Sequence, residues 1–343
     1  MAEIQTKKKG RILTGDRPTG RLHLGHYVGS LVNRVRLQDE YDTFLIIADV
    51  QALTTNFEEP EKLARDVREV ALDYLAAGID PEKSTVFVQS LIPEIAELTV
   101  YYSMIVTVNT LRHNPTIKSE AAQRGYSDMT YGFLGYPVSQ AADITFCKAN
   151  LVPVGEDQLP HIELTRKIVR RFNSLYGPVL VEPAALVGEV PRLVGLDGAA
   201  KMSKSLDNAI NLSDPPEEVE RRVKNAVTDP ARIRATDPGH PDICTVFAYH
   251  TAFNKPVIPE IEESCKKGAI GCVACKKRLA ATINELLEPM RERRARYEAN
   301  PKLVDEILLA GTASARAVAK ETMAQVREAM KINYFPGRPA LSV

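Results

Sequence analysis

The fold of this chain is decided by the stretch RPTGRLHLGHYVG, residues 17–29. It follows a short apolar run, residues 12–14, that is typical of a buried first strand. The Pro and Gly at its start indicate a turn, and the apolar residues after them recur at helical spacing. The sequence therefore predicts that His23 and His26 lie where the carboxyl end of a strand passes into a helix.

The two histidines are candidates for phosphate chemistry. Residues three apart share one face of the first turn of a helix, and the free backbone N–H groups of a helix start favour a phosphate. Gly25 lies between them without a side chain, so that a flat base could approach the backbone there. The alternative is a pair of solvated histidines in a turn, and the spacing alone does not separate the two interpretations.

The composition describes a globular protein. The chain has 343 residues, of which 44% are hydrophobic and 26% are charged, enough for a sizeable core and two domains. Its formal net charge of zero neither favours nor excludes a nucleic-acid partner. No apolar segment approaches membrane-spanning length, and the lysine-rich start lacks the apolar core of a signal peptide. We therefore expect a cytoplasmic protein with neither a membrane nor a DNA partner.

The order of the predicted elements indicates an α/β protein with a doubly wound parallel sheet, a Rossmann-like architecture whose ligands bind beyond the carboxyl ends of the strands. The predicted strands span residues 12–14, 43–49, 84–89 and 151–154, with helices at 60–76, 136–146 and 156–172. From residue 279 onward only helical apolar stripes remain. We predict a catalytic domain over residues 1–205, with an insertion at about 92–126, and an all-helical domain over residues 206–343.

A second polar motif, Lys201-Met202-Ser203-Lys204-Ser205, lies on a predicted mobile loop far along the chain from His23. Neither a P-loop nor a dinucleotide fingerprint is present, so a nucleotide site has to rest on other residues. Two lysines and two serine hydroxyls can surround the leaving oxygens of a triphosphate. For either lysine taken singly, a solvated loop charge is the simpler interpretation.

Together, the two motifs resemble a known pair. His23-Leu24-Gly25-His26 resembles the HIGH signature of class I aminoacyl-tRNA synthetases, and residues 201–205 match the KMSKS signature letter for letter. The resemblance implies that the chain binds ATP with Mg²⁺. It also implies that His23, His26, Lys201 and Lys204 stabilise the charge that develops on the phosphates.

Three further segments, residues 17–23, 136–144 and 154–166, resemble tryptophanyl-tRNA synthetases, and the resemblance extends from about residue 12 to residue 330. It implies that Asp143 accepts the indole N–H, since a carboxylate left without its donor would reject phenylalanine. The implied tryptophan site comprises Leu13, Tyr136, Gln140, Asp143 and Gln158. The implied ATP site comprises Arg17, Thr19, Gly20, His23, Gly25, His26, Gly155, Asp157, Gln158, Lys201, Met202, Ser203, Lys204 and Ser205. The chain departs from the family at Gln51, where a histidine is expected.

The implied activity is that of a tryptophan–tRNA ligase, which activates tryptophan with ATP to tryptophanyl-adenylate and pyrophosphate and then charges tRNA(Trp). The resemblance also implies a homodimer with the insertion at about 92–126 near its interface. Two alternatives stay open at this point. One is a tyrosyl-tRNA synthetase of the same architecture, and the other is a non-catalytic RNA-binding or regulatory protein on a synthetase scaffold.

Four of the five cysteines, Cys244, Cys265, Cys272 and Cys275, have the spacing C-x20-C-x6-C-x2-C in the helical region. In a chain expected to be cytosolic, this spacing indicates a metal centre in preference to disulfides. Zinc is the default for four thiolates. The placement resembles a subset of tryptophanyl-tRNA synthetases with a 4Fe–4S cluster in the anticodon-binding domain, which implies that cluster here. Cys147 is predicted to be a small buried apolar residue.

Overall fold

The computed structural model describes residues 10–187, 193–199, 202 and 206–335 of the chain. Over these residues, five parallel strands form one sheet in the order β3-β2-β1-β4-β5. The strands are β1 Arg11–Asp16, β2 Asp42–Ile47, β3 Ser84–Val88, β4 Leu151–Val154 and β5 Ala184–Val187. The predicted doubly wound, Rossmann-like α/β fold is confirmed.

The strand order reverses at β1, which lies between β2 and β4. Leu13 of β1 is in register with Phe44 of β2, and Ile12 is in register with Leu151 of β4. At such a point the connections from neighbouring strands leave in opposite directions, which opens a crevice beyond the carboxyl ends. Residues that follow these strands are therefore brought to one edge of the sheet.

Among the described strands, β5 was not predicted from the sequence. Its four residues, Ala-Ala-Leu-Val, show no alternation of polar and apolar side chains, and all four are half-buried or exposed. A strand this short at the edge of a sheet is defined by its pairing with β4 and carries little signal of its own.

The helix that follows β1 is irregular. α1 (Leu24–His26) passes into a π-helical turn (Tyr27–Leu31) before α2 (Val32–Leu37). The apolar spacing correctly predicted a helix here but not the π turn, because side-chain periodicity does not determine the hydrogen-bond register. Single π turns are frequent at functional sites.

Helices connect the strands in the predicted order. They are α3 Asp49–Asn56, α4 Pro60–Ala77, α5 Pro93–Ser103, α6 Val108–Arg112, α7 Pro115–Arg124, α8 Tyr131–Thr145 and α9 Leu159–Tyr176, with short 3₁₀ turns at Gln89–Leu91 and Glu156–Gln158. α5, α6 and α7 occupy the predicted insertion. Phe44, Phe87 and Phe146 pack edge to face in the core, with the closest pair of ring centroids 5.6 Å apart.

The C-terminal region is helical, as predicted. It contains α10 Pro216–Asn225, α11 Thr245–Phe253, α12 Ile258–Lys266, α13 Cys272–Glu298 and α14 Pro301–Ala329, with 3₁₀ turns at Pro241–Ile243 and Lys255–Val257. The predicted domain boundary between residues 205 and 206 stays a prediction, because residues 203–205 lie outside those described. Of the described helices, none is both long and apolar enough to cross a membrane.

Two of these helices pack on the α/β part of the chain. α13 lies against α4, and α14 crosses the edge strand β3. Thr312 Oγ1 of α14 accepts a hydrogen bond from the Val88 N–H at 3.3 Å. Gly311 permits this approach, because a Cβ there would stand 1.9 Å from the Val86 carbonyl oxygen. The edge of the sheet is thereby covered.

Candidate active site

His23 and His26 lie at the start of α1. His23 is the N-cap, and its Nδ1 accepts a hydrogen bond from the Gly25 N–H at 3.1 Å, while its own N–H donates to His26 Nδ1 at 3.2 Å. The centroids of the two rings are 3.8 Å apart. An Nδ1 that accepts carries no proton, so each neutral ring has an Nε2–H, a donor suited to a phosphate oxygen. The capping bonds thus orient both imidazoles and select their tautomer.

The second motif contacts the first at Gly25. Met202 is 3% exposed, and its Sδ lies 3.2 Å from the position that a Cβ on Gly25 would occupy. The same Cβ would stand 2.9 Å from the His23 ring. The missing side chain at Gly25 therefore permits contact with Met202, a role that the sequence did not predict.

The chain that leaves the second motif runs alongside the histidine turn. The Leu24 N–H donates to the Ile210 carbonyl and the Leu212 N–H donates to the Leu22 carbonyl, each at 2.9 Å. His23 and Asn211 form an antiparallel bridge between these two bonds. Of the motif itself, Met202 is described, whereas Lys201, Ser203, Lys204 and Ser205 lie outside the described residues.

A cavity of about 1000 Å³ lies at the carboxyl ends of β1 and β4. The structure places the following predicted residues in its wall: Leu13, Arg17, Thr19, His23, Gly25, His26, Tyr136, Gln140, Asp143, Gly155, Asp157, Gln158 and Met202. Gly20 lines an adjoining cavity of about 1310 Å³ that His23 and His26 also line. Residues from both halves of the α/β region thus meet at the point where the strand order reverses, where ligands of this fold bind.

Asp143 on α8 is 3% exposed and accepts hydrogen bonds from two amides. Gln89 Nε2 donates to its Oδ1 at 2.7 Å, and Gln51 Nε2 donates to its Oδ2 at 3.4 Å. Burial raises the pKa of Asp143 to about 7 in spite of these donors, and the Asp49 charge adds to the rise. A carboxylate has about four acceptor positions, so Asp143 can still accept a donor from a ligand.

The sequence pointed to one of these two amide side chains, Gln51, but not to the other, Gln89. Gln51 stands where a histidine was expected, and in the structure it lines the cavity and also donates to the Tyr136 carbonyl at 3.4 Å. Gln89 was not predicted as a site residue. It directly follows β3, whose carboxyl end reaches the same edge of the sheet, and that position was the available signal.

A second polar group surrounds Tyr136. Tyr136 Oη lies 3.0 Å from His161 Nε2, and burial lowers the pKa of His161 to about 4, so its imidazole is neutral. Glu120 of α7 lines the cavity 3.8 Å from Arg17. Within the described part of the chain, Glu120 Oε2 is buried without a hydrogen-bond partner. A bound ammonium group could supply one.

Asp16, at the end of β1, is a further charge in the cavity wall that the sequence did not reveal. Its Oδ2 accepts hydrogen bonds from Arg34 Nη1 at 2.5 Å and from Tyr74 Oη at 2.8 Å. Burial alone would raise the pKa of Asp16, but the Arg34 charge and these two hydrogen bonds hold it well below its usual range. Asp16 is therefore a fixed negative charge near His26.

The four cysteines lie close enough to influence one another. Cys265 Sγ and Cys272 Sγ are each 3.9 Å from the same nitrogen, Arg232 Nη1. Burial raises the pKa of Cys275 to about 12, and the other three thiols of the set add to the rise. His250 Nε2 lies 3.5 Å from Cys275 Sγ. Cys147 is fully buried, as predicted.

The donor chemistry fits a thiolate-bound centre, because burial and the neighbouring thiols raise the pKa of Cys265 and Cys275, and a cationic group among the four sulfurs would stabilise the thiolate forms. Over residues 10–187, 193–199, 202 and 206–335, no group of three or more His, Cys, Asp or Glu side chains is arranged to hold a metal ion. The predicted metal site is therefore not shown by the structure.

The fold and the cavity define a doubly wound α/β protein with paired histidines at its topological switch point. The family model described as "tRNA synthetases class I (W and Y)" matches residues 5–288. The chain belongs to this class I tRNA synthetase family.

Among the members of this family, the similar relatives include tryptophan-specific enzymes. The chain is 51% identical over 332 residues to a tryptophan–tRNA ligase of Clostridium longisporum, covering 94% of this chain and 97% of that protein. It is 50% identical over 338 residues to a tryptophan–tRNA ligase of Lactococcus lactis, covering 95% and 99%. A tryptophanyl-tRNA synthetase of Campylobacter jejuni, solved with ADP and tryptophan, superposes with a TM-score of 0.84 at 32% identity, covering 94% of this chain and 99% of that one.

Proposed function

We propose that the chain is a tryptophan–tRNA ligase. Relatives that are about 50% identical to this chain over nearly its full length are tryptophan–tRNA ligases. The observation in the structure that carries the proposal is the placement of Asp143, a buried carboxylate in the wall of the cavity that His23 and His26 line. A buried acceptor selects an amino acid whose side chain ends in a donor, as the indole N–H of tryptophan does.

The reaction has two steps. The carboxylate of tryptophan attacks the α-phosphorus of ATP, and the bond to the β-phosphate oxygen breaks, which gives tryptophanyl-adenylate and pyrophosphate. A ribose hydroxyl at the end of tRNA(Trp) then attacks the acyl carbon and releases AMP. Mg²⁺ bound to ATP would neutralise part of the phosphate charge.

We assign the charge stabilisation in the first step to the histidine turn. The Nε2–H donors of His23 and His26 suit phosphate oxygens, and their capping bonds fix the rings before substrate arrives. Lys201 and Lys204 are proposed to stabilise the leaving pyrophosphate. Glu120 is the candidate partner for the ammonium group of tryptophan.

ATP–pyrophosphate exchange without tRNA tests the proposal, with tryptophan, tyrosine and phenylalanine compared at equal concentration. Exchange with tryptophan alone is the expected result. Exchange with tyrosine would keep the fold and the mechanism but reverse the assignment of the amino acid. Exchange with none of the three would favour a non-catalytic RNA-binding protein on this scaffold.

Tryptophan binding is expected to weaken below neutral pH. The pKa of Asp143 is raised to about 7, so the neutral carboxyl predominates below that pH and the ionised form above it. If the indole N–H binds the ionised form, the apparent Kd rises as pH falls, by roughly tenfold one unit below the pKa. The chain contains no tryptophan, so the fluorescence of the bound ligand measures the Kd directly. Asp143→Asn should bind less tightly with a flat profile, and an equal slope in that variant would contradict the assignment.

We propose that Cys244, Cys265, Cys272 and Cys275 hold a 4Fe–4S cluster in preference to zinc. A cluster distributes its cysteine ligands over four iron atoms, so the sulfurs need not converge on one ion. This suits thiols that interact without forming a compact single-ion group. Arg232, which contacts two of the thiols, would offset part of the cluster's negative charge.

Anaerobic purification followed by metal and sulfide analysis separates the two centres. We expect iron and acid-labile sulfide with broad visible absorption, and we expect Cys272→Ser to lose both. Cys147→Ala is the control and should retain them, since Cys147 lies in the α/β core. Stoichiometric zinc would make the cluster assignment wrong, and protein free of both metals would make the metal-centre assignment wrong.

The remaining proposals concern assembly and location. We propose a homodimer that uses the insertion, because Val100, Met104 and Val108 near the junction of α5 and α6 are 53%, 69% and 55% exposed. Sedimentation should give a dimer that Met104→Glu weakens, and a stable wild-type monomer would contradict it. We also propose that the enzyme works in the cytoplasm, where tRNA is charged.

A further inference from the structure

Arg294, on α13 of the helical region, is buried against α4 although it is charged. It is 4% exposed. Its Nη1 donates to Asp73 Oδ1 at 2.5 Å, its Nη2 to Glu69 Oε2 at 2.6 Å and its Nε to Glu298 Oε1 at 2.7 Å. A buried charge is costly unless it is paired, so these contacts hold the guanidinium in one orientation.

The carboxylates that pair with Arg294 also hold the residues before His23. Asp73 is fully buried, and its Oδ2 accepts the Leu22 N–H at 2.6 Å. Glu69 Oε2 accepts a hydrogen bond from Arg21 Nε at 2.8 Å. Since His23 follows directly as the cap of α1, a continuous hydrogen-bonded path runs from α13 through α4 to the histidine turn.

This path differs from other ion pairs between the C-terminal helices and the α/β part. Arg68 of α4 donates to Asp305 Oδ1 at 3.0 Å and to the Pro301 carbonyl at 2.8 Å, and none of these groups contacts the histidine turn. Asp73 instead accepts a hydrogen bond from Arg294 with one carboxylate oxygen and from the Leu22 N–H with the other. Burial raises the pKa of Asp73 to about 6, opposed by the charge of Arg294, so Asp73 needs Arg294 to stay ionised.

We propose that Arg294 is a positioning residue for the adenylation step: through Asp73 it fixes the backbone of Leu22, through Glu69 the side chain of Arg21, and hence the His23–His26 cap. The inference rests on the function proposed above. Groups that stabilise a transition state work within narrow geometric limits. Loosening the turn therefore slows adenylate formation without removing a group that contacts tryptophan.

The test measures the first-order rate constant of tryptophanyl-adenylate formation per active site, with saturating ATP and tryptophan. A burst titration counts the competent sites, so a loss of folded protein does not lower this constant. We expect Arg294→Met to lower it at least ~10-fold with little change in the tryptophan KM. Arg294→Lys should lower the rate constant by a smaller factor, because its ammonium group can still form a close ion pair with one of the two carboxylates. Arg68→Met, the control, should match the wild type.

The result that overturns the proposal is a wild-type rate constant per active site in Arg294→Lys and Arg294→Met, or the same loss in Arg68→Met. The imidazole nitrogen resonances of His23 and His26 provide a readout that needs no activity. They should shift in Arg294→Lys and stay in place in Arg68→Met, and unshifted resonances in Arg294→Lys would count against the path. A wild-type protein that forms no adenylate would instead refute the proposed function, and the resonances would still decide the role of Arg294.

Discussion

Replacing Asp143 by alanine is expected to lower kcat/KM for tryptophan in ATP–pyrophosphate exchange by about 10³-fold, and to leave the low value for phenylalanine nearly unchanged. The alanine removes the acceptor for the indole N–H. It also leaves the amides of Gln89 and Gln51 without their partner inside the cavity wall. Discrimination between the two amino acids should therefore collapse, because it depends on a buried polar group that only tryptophan satisfies.

Thr145→Val is the matched control for this variant. Thr145 is fully buried on the same helix and bonds to Tyr102 Oη at 2.6 Å, but it does not line the cavity. We expect it to reduce stability by about 1–3 kcal/mol and to leave selectivity intact. If Asp143→Ala lost no more selectivity than Thr145→Val, the tryptophan pocket would have to be placed elsewhere.

Replacing His26 by asparagine is expected to lower kcat for exchange by about 10²- to 10³-fold, with little change in the tryptophan KM. Asparagine can place an acceptor where His26 Nδ1 receives the His23 N–H, so the cap survives. It supplies nothing at the position of Nε2. A group that acts mainly in the transition state affects kcat more than ground-state binding.

His26→Gln is the complementary change, because glutamine reaches further but lacks the group at Nδ1. We expect it to destabilise the turn and to keep more activity per folded site than His26→Asn. His113→Asn, an exposed histidine on neither cavity, should behave as wild type. Wild-type kcat in His26→Asn would remove His26 from the mechanism.

The sequence predicted much of the fold because the relevant signals are local. Apolar runs marked β1 to β4, and helical spacing marked the C-terminal region. The short edge strand β5 and the π turn after α1 were not predicted, since an edge pairing and a hydrogen-bond register leave no periodic trace. The described residues predicted for ATP and tryptophan all lie in the walls of two adjoining cavities, and their individual roles stay predictions.

The family, and the two motifs that carry it, could be read from the sequence alone, because short-range chemistry and spacing specify the histidine turn and the lysine motif. The tertiary structure alone decided what surrounds them. Gln89 bonds to Asp143, which lies 54 residues further along the chain. Arg294 bonds to Asp73, 221 residues before it, and Asp73 in turn accepts the N–H of Leu22, another 51 residues earlier. Such contacts depend on parallel strands ending at one edge and on a helix from the end of the chain packing on α4. Burial, which sets the pKa of Asp143, likewise follows from packing and not from the residue itself.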